Sequence, residues 1–167
     1  MMNLVEPQNA QEAQDRGGDS FIPLLKGVCT PGMAHGRMVS MTPHDDSAAL
    51  SLSNQIRETA FEAHRFFKHG FLEKIYENSL ARRLRAKGLV VEQQVPLKVF
   101  DEDGSVVGEY VTDLLVADTL IVELKAIRTL DDTHVAQVLA YLRASRRRHG
   151  MLINFGSPKL QVKKLVL

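Results

Sequence analysis

The chain has 167 residues, of which 44% are apolar and 25% are charged, and its formal net charge at pH 7 is +1. This length suits one domain with a well-covered core and is short for two. The single Cys29 excludes an internal disulfide framework and a cysteine-based zinc site, and it is typical of a reducing compartment. No apolar run approaches the roughly 18 residues of a membrane span. The N-terminus also lacks a signal-peptide pattern, so we expect a cytoplasmic protein without a membrane partner.

The first part of the chain differs in composition from the rest. Residues 1–46 mix glycine, proline, glutamine and serine without sustained periodicity, which predicts a disordered N-terminal extension. Met33, Met38 and Met41 all precede the first convincing element, so translation can begin at one of them instead of at Met1. Residues 47–167 are predicted to form one domain. Residues 46–167 carry 18 basic and 15 acidic side chains, a net charge of +3 that permits a polyanionic partner without requiring one.

Two amphipathic helices are predicted first. Apolar residues at helical spacing follow a candidate N-cap at Ser51 or Ser53, and this helix is expected to end near Gly70. A second helix follows at once, and Gly88 suits the position just after its end. Its predicted apolar stripe comprises Phe71, Leu72, Ile75, Tyr76, Leu80 and Leu84.

Strands and one further helix complete the predicted domain. Strands are expected over residues 90–100, 105–116 and 120–126, with a hairpin turn at 101–104. A third helix is predicted over 131–149, with basic residues toward its end, as the helix dipole favours. Two short strands follow at 151–155 and 159–167. The order α-α-β-β-β-α-β-β indicates an α/β (α+β) fold with a mixed β-sheet flanked by α-helices.

Charged residues interrupt the second and third of these strands. A three-residue turn at 117–119 with antiparallel pairing places Asp113 directly opposite Glu123, and Lys125 lies two residues further along the same face. Opposed like charges destabilise a sheet, and burying an unpaired charge costs several kcal/mol. A divalent cation would offset this cost. Alternatively, Lys125 neutralises both acids in a buried ionic cluster, or the hairpin is more exposed than its apolar residues suggest.

Several motifs occur together in one order. Residues 70–76, GFLEKIY, reproduce the pattern GxxExxY, and downstream come Asp113, the triplet Glu123-Leu124-Lys125, Gln137 and the tripeptide Asn154-Phe155-Gly156. In these motifs, residues 50–167 resemble the GxxExxY proteins of the PD-(D/E)XK nuclease superfamily. The resemblance implies a restriction-endonuclease-like core, in which one strand carries an aspartate and the next carries glutamate-x-lysine.

The resemblance also implies a catalytic set, which comprises Glu73, Asp113, Glu123, Lys125 and Gln137. Asp113, Glu123 and the backbone carbonyl of Leu124 would bind Mg²⁺ or Mn²⁺, since these ions prefer hard oxygen ligands. Glu73 would join them directly or through water. Lys125 would position or help deprotonate the attacking water and stabilise charge on the phosphate. Without the resemblance, the favoured interpretation of Glu73 is a solvated charge on the surface of the helix.

Three further residues are candidate supports of this site, namely Tyr76, Tyr141 and His134. Tyr76 is expected to be a packing residue with its hydroxyl near the site, because its ordinary pKa is far above neutrality. Gln137 and Tyr141 lie one helical turn apart and resemble the Q-x-x-x-Y element of RecB-like branches of the superfamily. Gln137 can instead be an interface residue and Tyr141 a core residue. His134 shares their face, but no second histidine stands at zinc-ligand spacing.

Basic residues near the ends of two helices are candidate contacts for nucleic-acid phosphates, namely Arg82, Arg143, Arg146 and Arg147. Charged helix ends are otherwise simply solvated. The predicted function is a metal-dependent nuclease that hydrolyses phosphodiester bonds, with DNA as the expected substrate. The alternatives are a non-catalytic module that binds nucleic acid or protein on the same fold, and an accessory subunit of a larger nuclease.

Overall fold

The computed structural model describes residues 43–167. Its elements are α1 (Pro43–Phe67), α2 (Glu73–Ala86), β1 (Val91–Phe100), β2 (Val106–Val116), β3 (Leu120–Lys125), α3 (Asp132–Ser145), β4 (His149–Asn154) and β5 (Gln161–Val166). Residues 1–42 of the predicted extension, with the four candidate start methionines, lie outside the described residues. Residues 43–46, the end of that extension, belong to α1.

Both predicted helix starts need correction. α1 begins at Pro43, so the predicted N-cap at Ser51 or Ser53 is wrong; the Ser53 hydroxyl donates to the Leu50 carbonyl inside the helix. α2 begins at Glu73, which leaves Phe71 and Leu72 outside it and exposed. Ile75 is also exposed, whereas the side chain of Glu77 is buried. Of the predicted apolar stripe, only its C-terminal residues are buried, namely Tyr76, Leu80 and Leu84.

The five strands form one sheet in the order β1-β2-β3-β4-β5, and this sheet is mixed, as predicted. All neighbours are antiparallel except β3 and β4, which are parallel and joined through α3. One apolar cluster joins α1 and α2 to one face of the sheet, and a second joins α3 to the other face. The α/β fold with helices on both faces of a mixed sheet is therefore confirmed. No helix within residues 43–167 has the length and apolar character needed to cross a membrane.

The third helix is shorter than predicted. α3 ends at Ser145, because Arg146 adopts a left-handed φ of 55° and the Arg147 amide donates back to the Leu142 carbonyl. Arg146, Arg147 and Arg148 therefore follow the helix, and β4 begins directly at His149.

The hairpin of β2 and β3 has the predicted turn. Val116 pairs with Leu120 and Leu114 pairs with Val122, which leaves residues 117–119 as the loop. Ala117 and Asp118 both have positive φ, and the Thr119 amide donates to the Val116 carbonyl. This register places Asp113 and Glu123 at the next step beyond Leu114 and Val122.

Candidate active site

Asp113 lies where β2 and β3 begin to separate. Its Oδ2 accepts a hydrogen bond from the Leu124 amide at 2.8 Å, and its Oδ1 accepts one from Gln94 Nε2 at 3.3 Å. The Leu124 amide therefore bonds a side chain at the point where the ladder to β2 has ended. The N–H and C=O of one strand residue point to the same side, so the Leu124 carbonyl also faces Asp113.

Glu123 is more deeply buried than Asp113, with 4% of its surface exposed. Its Oε1 accepts a hydrogen bond from Lys125 Nζ at 2.6 Å, whereas its Oε2 has no donor among the described residues. Burial, and then the neighbouring charge of Asp113, raises the pKa of Glu123 to about 7. The predicted burial of this part of the hairpin is therefore correct, and the exposed alternative is wrong.

Glu73 reaches the same place from the first turn of α2. Its Oε2 accepts a hydrogen bond from the Ala126 amide at 3.1 Å, one residue beyond β3. Burial raises the pKa of Glu73, opposed by the charge of Lys125 and reinforced by that of Asp113. Its half-buried carboxylate belongs to the cluster around Lys125 and is not a solvated helix charge.

The motif GxxExxY has a local structural explanation. Gly70 has a φ of 109°, a conformation that favours glycine, in the turn between α1 and α2. The buried Tyr76 hydroxyl donates to the Lys68 carbonyl at 2.8 Å and accepts from the Phe71 amide at 3.2 Å. Tyr76 therefore secures the turn that orients α2 and Glu73. Both of these hydrogen bonds join its hydroxyl to the backbone of the turn.

The tripeptide 154–156 secures the segment that follows Lys125. Asn154 Oδ1 accepts from the Ile127 amide at 3.1 Å, and Asn154 Nδ2 donates to the Ile127 carbonyl at 2.8 Å. A Cβ on Gly156 would lie 2.3 Å from the Ile127 nitrogen, so only glycine permits this close approach. Phe155 stacks on Tyr76 with ring centroids 4.6 Å apart. The sequence motif was recognised, but these contacts were not foreseen.

Gln137 and Tyr141 are joined as their spacing indicates. Gln137 Nε2 donates to the Tyr141 hydroxyl oxygen at 2.7 Å. Burial, followed by the negative charge of Glu123, raises the pKa of Tyr141 to about 12. Tyr141 is therefore a neutral hydroxyl that faces the acidic cluster from α3. It is also part of the apolar cluster beneath that helix, so the core alternative is correct as well.

Other candidates lie apart from this cluster. The His134 ring accepts from the Asp131 amide in a capping box at the start of α3. Arg147 forms an ion pair with Asp118 in the hairpin turn, which lies at the other end of the β2–β3 ladder from Asp113. Arg143 and Arg146 line a groove of about 430 Å³ beside β1 and β2. Arg82 is exposed on α2.

Two residues near Asp113 were missed by the sequence analysis. Glu77 was read only as a neighbour of Glu73, yet its carboxylate is buried and bonded on both oxygens. Gln94, which donates to Asp113, was not singled out at all. A buried carboxylate can be recognised only once its partners are known, so the sequence carried no signal for either residue.

Comparison with known families identifies the family to which this fold belongs. The family model described as the PD-(D/E)XK nuclease superfamily matches residues 51–165. The chain belongs to the PD-(D/E)XK nuclease superfamily. Nucleases of this superfamily generally use divalent metal ions. Membership of the narrower GxxExxY group remains a prediction.

Two solved structures are similar to this PD-(D/E)XK chain. The crystal structure of SSO0001 has 16% sequence identity and a TM-score of 0.49, over 71% of this chain and 61% of that one. An alkaline exonuclease (LHK-Exo) from Laribacter hongkongensis has 14% identity and a TM-score of 0.35, over 75% of this chain and 72% of that one. This chain therefore spans less than two thirds of SSO0001. No curated protein matches it.

The residues of the cluster fit a hard divalent cation. Within residues 43–167, no three His, Cys, Asp or Glu side chains form a ready-made metal cage. Mg²⁺, however, is usually bound by one or two carboxylates and completes its shell with water and substrate phosphates. When they are ionised, the carboxylates of Glu73, Asp113 and Glu123 carry three negative charges. Lys125 supplies one positive charge, so the cluster has a net charge of −2. Together with the buried, donor-free Oε2 of Glu123, this excess favours a bound dication.

Proposed function

We propose that this chain is a nuclease that hydrolyses phosphodiester bonds of DNA with Mg²⁺, or Mn²⁺ in its place. One observation carries the proposal: Glu123 Oε2 is buried without a hydrogen-bond donor among the described residues, and Glu123 shares one lysine, Lys125, with the carboxylates of Asp113 and Glu73. A cation is the partner that such an oxygen lacks. Superfamily membership supports this interpretation.

The ligands that this chain offers lie on three elements. Asp113 lies in β2 just before the part that pairs with β3, Glu123 and the Leu124 carbonyl belong to β3, and Glu73 approaches from α2. Asp113 and Glu123 are the direct ligands in our proposal, and Glu73 acts directly or through water. When bound, a divalent ion polarises the phosphate and lowers the pKa of a coordinated water.

Lys125 acts beside these ligands. Its Nζ is held at 2.6 Å from Glu123 Oε1, and its side chain is only 15% exposed. Such an ammonium can orient the water whose oxygen forms the new bond to phosphorus while the ester P–O bond breaks. It also stabilises the negative charge that develops on the phosphate. Gln137 and the neutral hydroxyl of Tyr141 support the site from α3.

Two features support a nucleic-acid substrate, and the first of them supports DNA. The pair Gln137 and Tyr141 resembles the element of RecB-like nucleases, and its hydrogen bond at 2.7 Å agrees with a supporting role. Arg143 and Arg146 line a groove beside α3, where they can contact phosphates. We propose a cytoplasmic site of action, consistent with the single cysteine.

A panel of substrates tests this function. Purified protein is incubated with linear, branched and single-stranded DNA and with RNA, in Mg²⁺, Mn²⁺ or EDTA. We expect cleavage of at least one DNA substrate that requires the metal and is lost in Asp113→Ala. Cleavage that persists in EDTA or in Asp113→Ala would contradict the proposal, and cleavage of RNA alone would contradict its choice of substrate.

A second function is favoured by one contact. Because Lys125 already bonds Glu123, the cluster can act as an ionic group in a module that binds nucleic acid or protein without cleaving it. Calorimetric titration with Mn²⁺ separates the two functions. A nuclease site binds the ion and loses that binding in Glu123→Gln, whereas an ionic cluster shows no binding that depends on Glu123.

A further inference from the structure

Gln94 stands at a change of direction in β1. Its φ is +54°, a left-handed value that is uncommon for a residue other than glycine. On one side of it, Gln93 bonds to Glu77 and Asn78 of α2. On the other side, Val95 packs in the cluster beneath α3. The side chains of Gln93 and Val95, two residues apart, therefore lie on opposite faces of the sheet, and this change of face occurs at Gln94.

The side chain of Gln94 links two acids. In the β1–β2 register, Gln93 pairs with Leu114 and Val95 pairs with Thr112, so Gln94 stands opposite Asp113. Its Nε2 donates to Asp113 Oδ1 at 3.3 Å and to Glu77 Oε2 at 3.0 Å. A glutamine amide has two N–H donors, and each is used for one carboxylate.

Glu77 is a fixed anchor for this amide. Lys74 Nζ donates to both of its oxygens, at 2.7 and 2.8 Å. Gln93 adds a donor to Oε1 at 2.8 Å, and Gln94 adds one to Oε2. Each oxygen of this buried carboxylate therefore has two donors, which leaves Glu77 no free position for a metal ion.

Asp113 requires such a restraint because it faces another acid. Asp113 and Glu123 are the next residues beyond the last pair of the β2–β3 ladder, Leu114 with Val122, and like charges that lie close together repel. The Leu124 amide fixes one oxygen of Asp113 and Gln94 fixes the other. Without Gln94, only the Leu124 bond would oppose rotation of the carboxylate away from Glu123.

We infer that Gln94, anchored by Glu77, is a positioning residue that holds the Asp113 carboxylate toward Glu123. This inference rests on the proposed function for its effect on catalysis, but the positioning itself is a property of the protein alone. The left-handed φ of Gln94 is what places its amide between α2 and β2. Gln94 touches no reacting atom in this role.

The test compares Gln94→Gly with Gln93→Ala. Glycine accepts a positive φ, so Gln94→Gly keeps the backbone of β1 and removes only the amide. Gln93→Ala removes one donor to Glu77 in the same strand but none to Asp113. Gln94→Asn is a second probe, because asparagine tolerates a left-handed φ while its side chain is too short to link both acids.

The first measurement uses protein without metal. Hydrogen exchange by NMR follows the Leu124 amide, which donates to Asp113. We expect its exchange to become at least about tenfold faster in Gln94→Gly and Gln94→Asn, and to change less than about threefold in Gln93→Ala. Unchanged exchange in both Gln94 variants, with wild-type melting temperatures, would overturn the inference whatever the catalytic activity of the protein.

The second measurement concerns metal binding and catalysis. Loss of a residue that orients a metal ligand typically weakens metal affinity or activity by roughly 10–100-fold. In Gln94→Gly we expect a loss of this size in Mn²⁺ affinity by calorimetry and in kcat, with KM for DNA unchanged. Wild-type protein that cleaves nothing would contradict the proposed function. Active wild-type protein with an equally active Gln94→Gly variant would contradict the role of Gln94.

Discussion

At the scale of single residues, the structure separates two kinds of buried carboxylate. Glu77 accepts two hydrogen bonds on each oxygen, whereas Glu123 has a lysine on one oxygen and no donor among the described residues on the other. A fully bonded carboxylate stabilises a fold, and an incompletely bonded one is costly unless something binds to it. Our proposal of a metal-binding site therefore rests most directly on Glu123.

The raised pKa of Glu123 predicts how stability depends on pH in metal-free protein. Its folded pKa of about 7 exceeds the ordinary 4.5, so the folded state holds this proton more tightly than the unfolded state. This contribution to stability is fully present below pH 4.5 and is lost as the pH rises through 7. At 1.36 kcal/mol per pKa unit, the loss is on the order of 3 kcal/mol.

Glu123→Gln should therefore stabilise metal-free protein at about pH 8 and have little effect at about pH 4.5, because a neutral amide does not ionise. Denaturant unfolding in EDTA at both pH values measures the difference. Glu92→Gln, on the exposed side of β1, is the matched control and should have no such effect. A Glu123→Gln variant less stable than wild type at the higher pH would show that the charged carboxylate is already well satisfied.

At the scale of secondary structure, the site depends on how the end of β3 is held. The segment after Lys125 bonds to Glu73 through Ala126 and to Asn154 through Ile127. Gly156 packs against this same backbone. The position of Lys125 thus depends on contacts from α2 and from the end of β4.

Gly156→Ala tests this dependence. Its Cβ would lie 2.3 Å from the Ile127 nitrogen and 2.4 Å from the Ala126 carbonyl carbon, so the backbone must move. We expect a loss of about 3 kcal/mol or more in the free energy of unfolding, at the upper end for overpacking. Gly108→Ala is the control, since a Cβ added at Gly108 would meet no atom within 4 Å. Equal unfolding midpoints for the two variants would contradict the close approach.

Local features of the sequence predicted the hairpin of β2 and β3. The roles of Glu77 and Gln94 were missed because they depend on contacts between elements that are distant in the sequence. The period of two and a short turn were enough to predict the register of the hairpin, although the observed ladder ends at Leu114 and Val122, one step before Asp113 and Glu123. The resemblance supplied Glu73 and Gln137, which no local pattern connects to the hairpin. The burial of Glu77 and the left-handed φ of Gln94 depend on contacts between α2 and β1, which no sequence spacing reveals.

At the scale of the whole molecule, metal binding should stabilise the fold. A ligand that binds only the folded state at about 100 times its Kd adds about 2.7 kcal/mol. We expect Mg²⁺ or Mn²⁺ to raise the melting temperature of wild-type protein at about pH 8, where the carboxylates are ionised, and Glu123→Gln to abolish most of this increase. An equal increase in both proteins would place the binding of these ions elsewhere.

The most direct test of the central claim is the initial rate of Mg²⁺-dependent DNA cleavage by wild-type protein, Lys125→Ala and Lys163→Ala. Lys163 is an exposed residue of β5 and controls for the loss of one positive charge. We predict that Lys125→Ala lowers the rate by at least about 100-fold, as for other residues that stabilise developing charge, while Lys163→Ala retains the wild-type rate. A wild-type rate in Lys125→Ala would contradict the assignment of this cluster as the catalytic site.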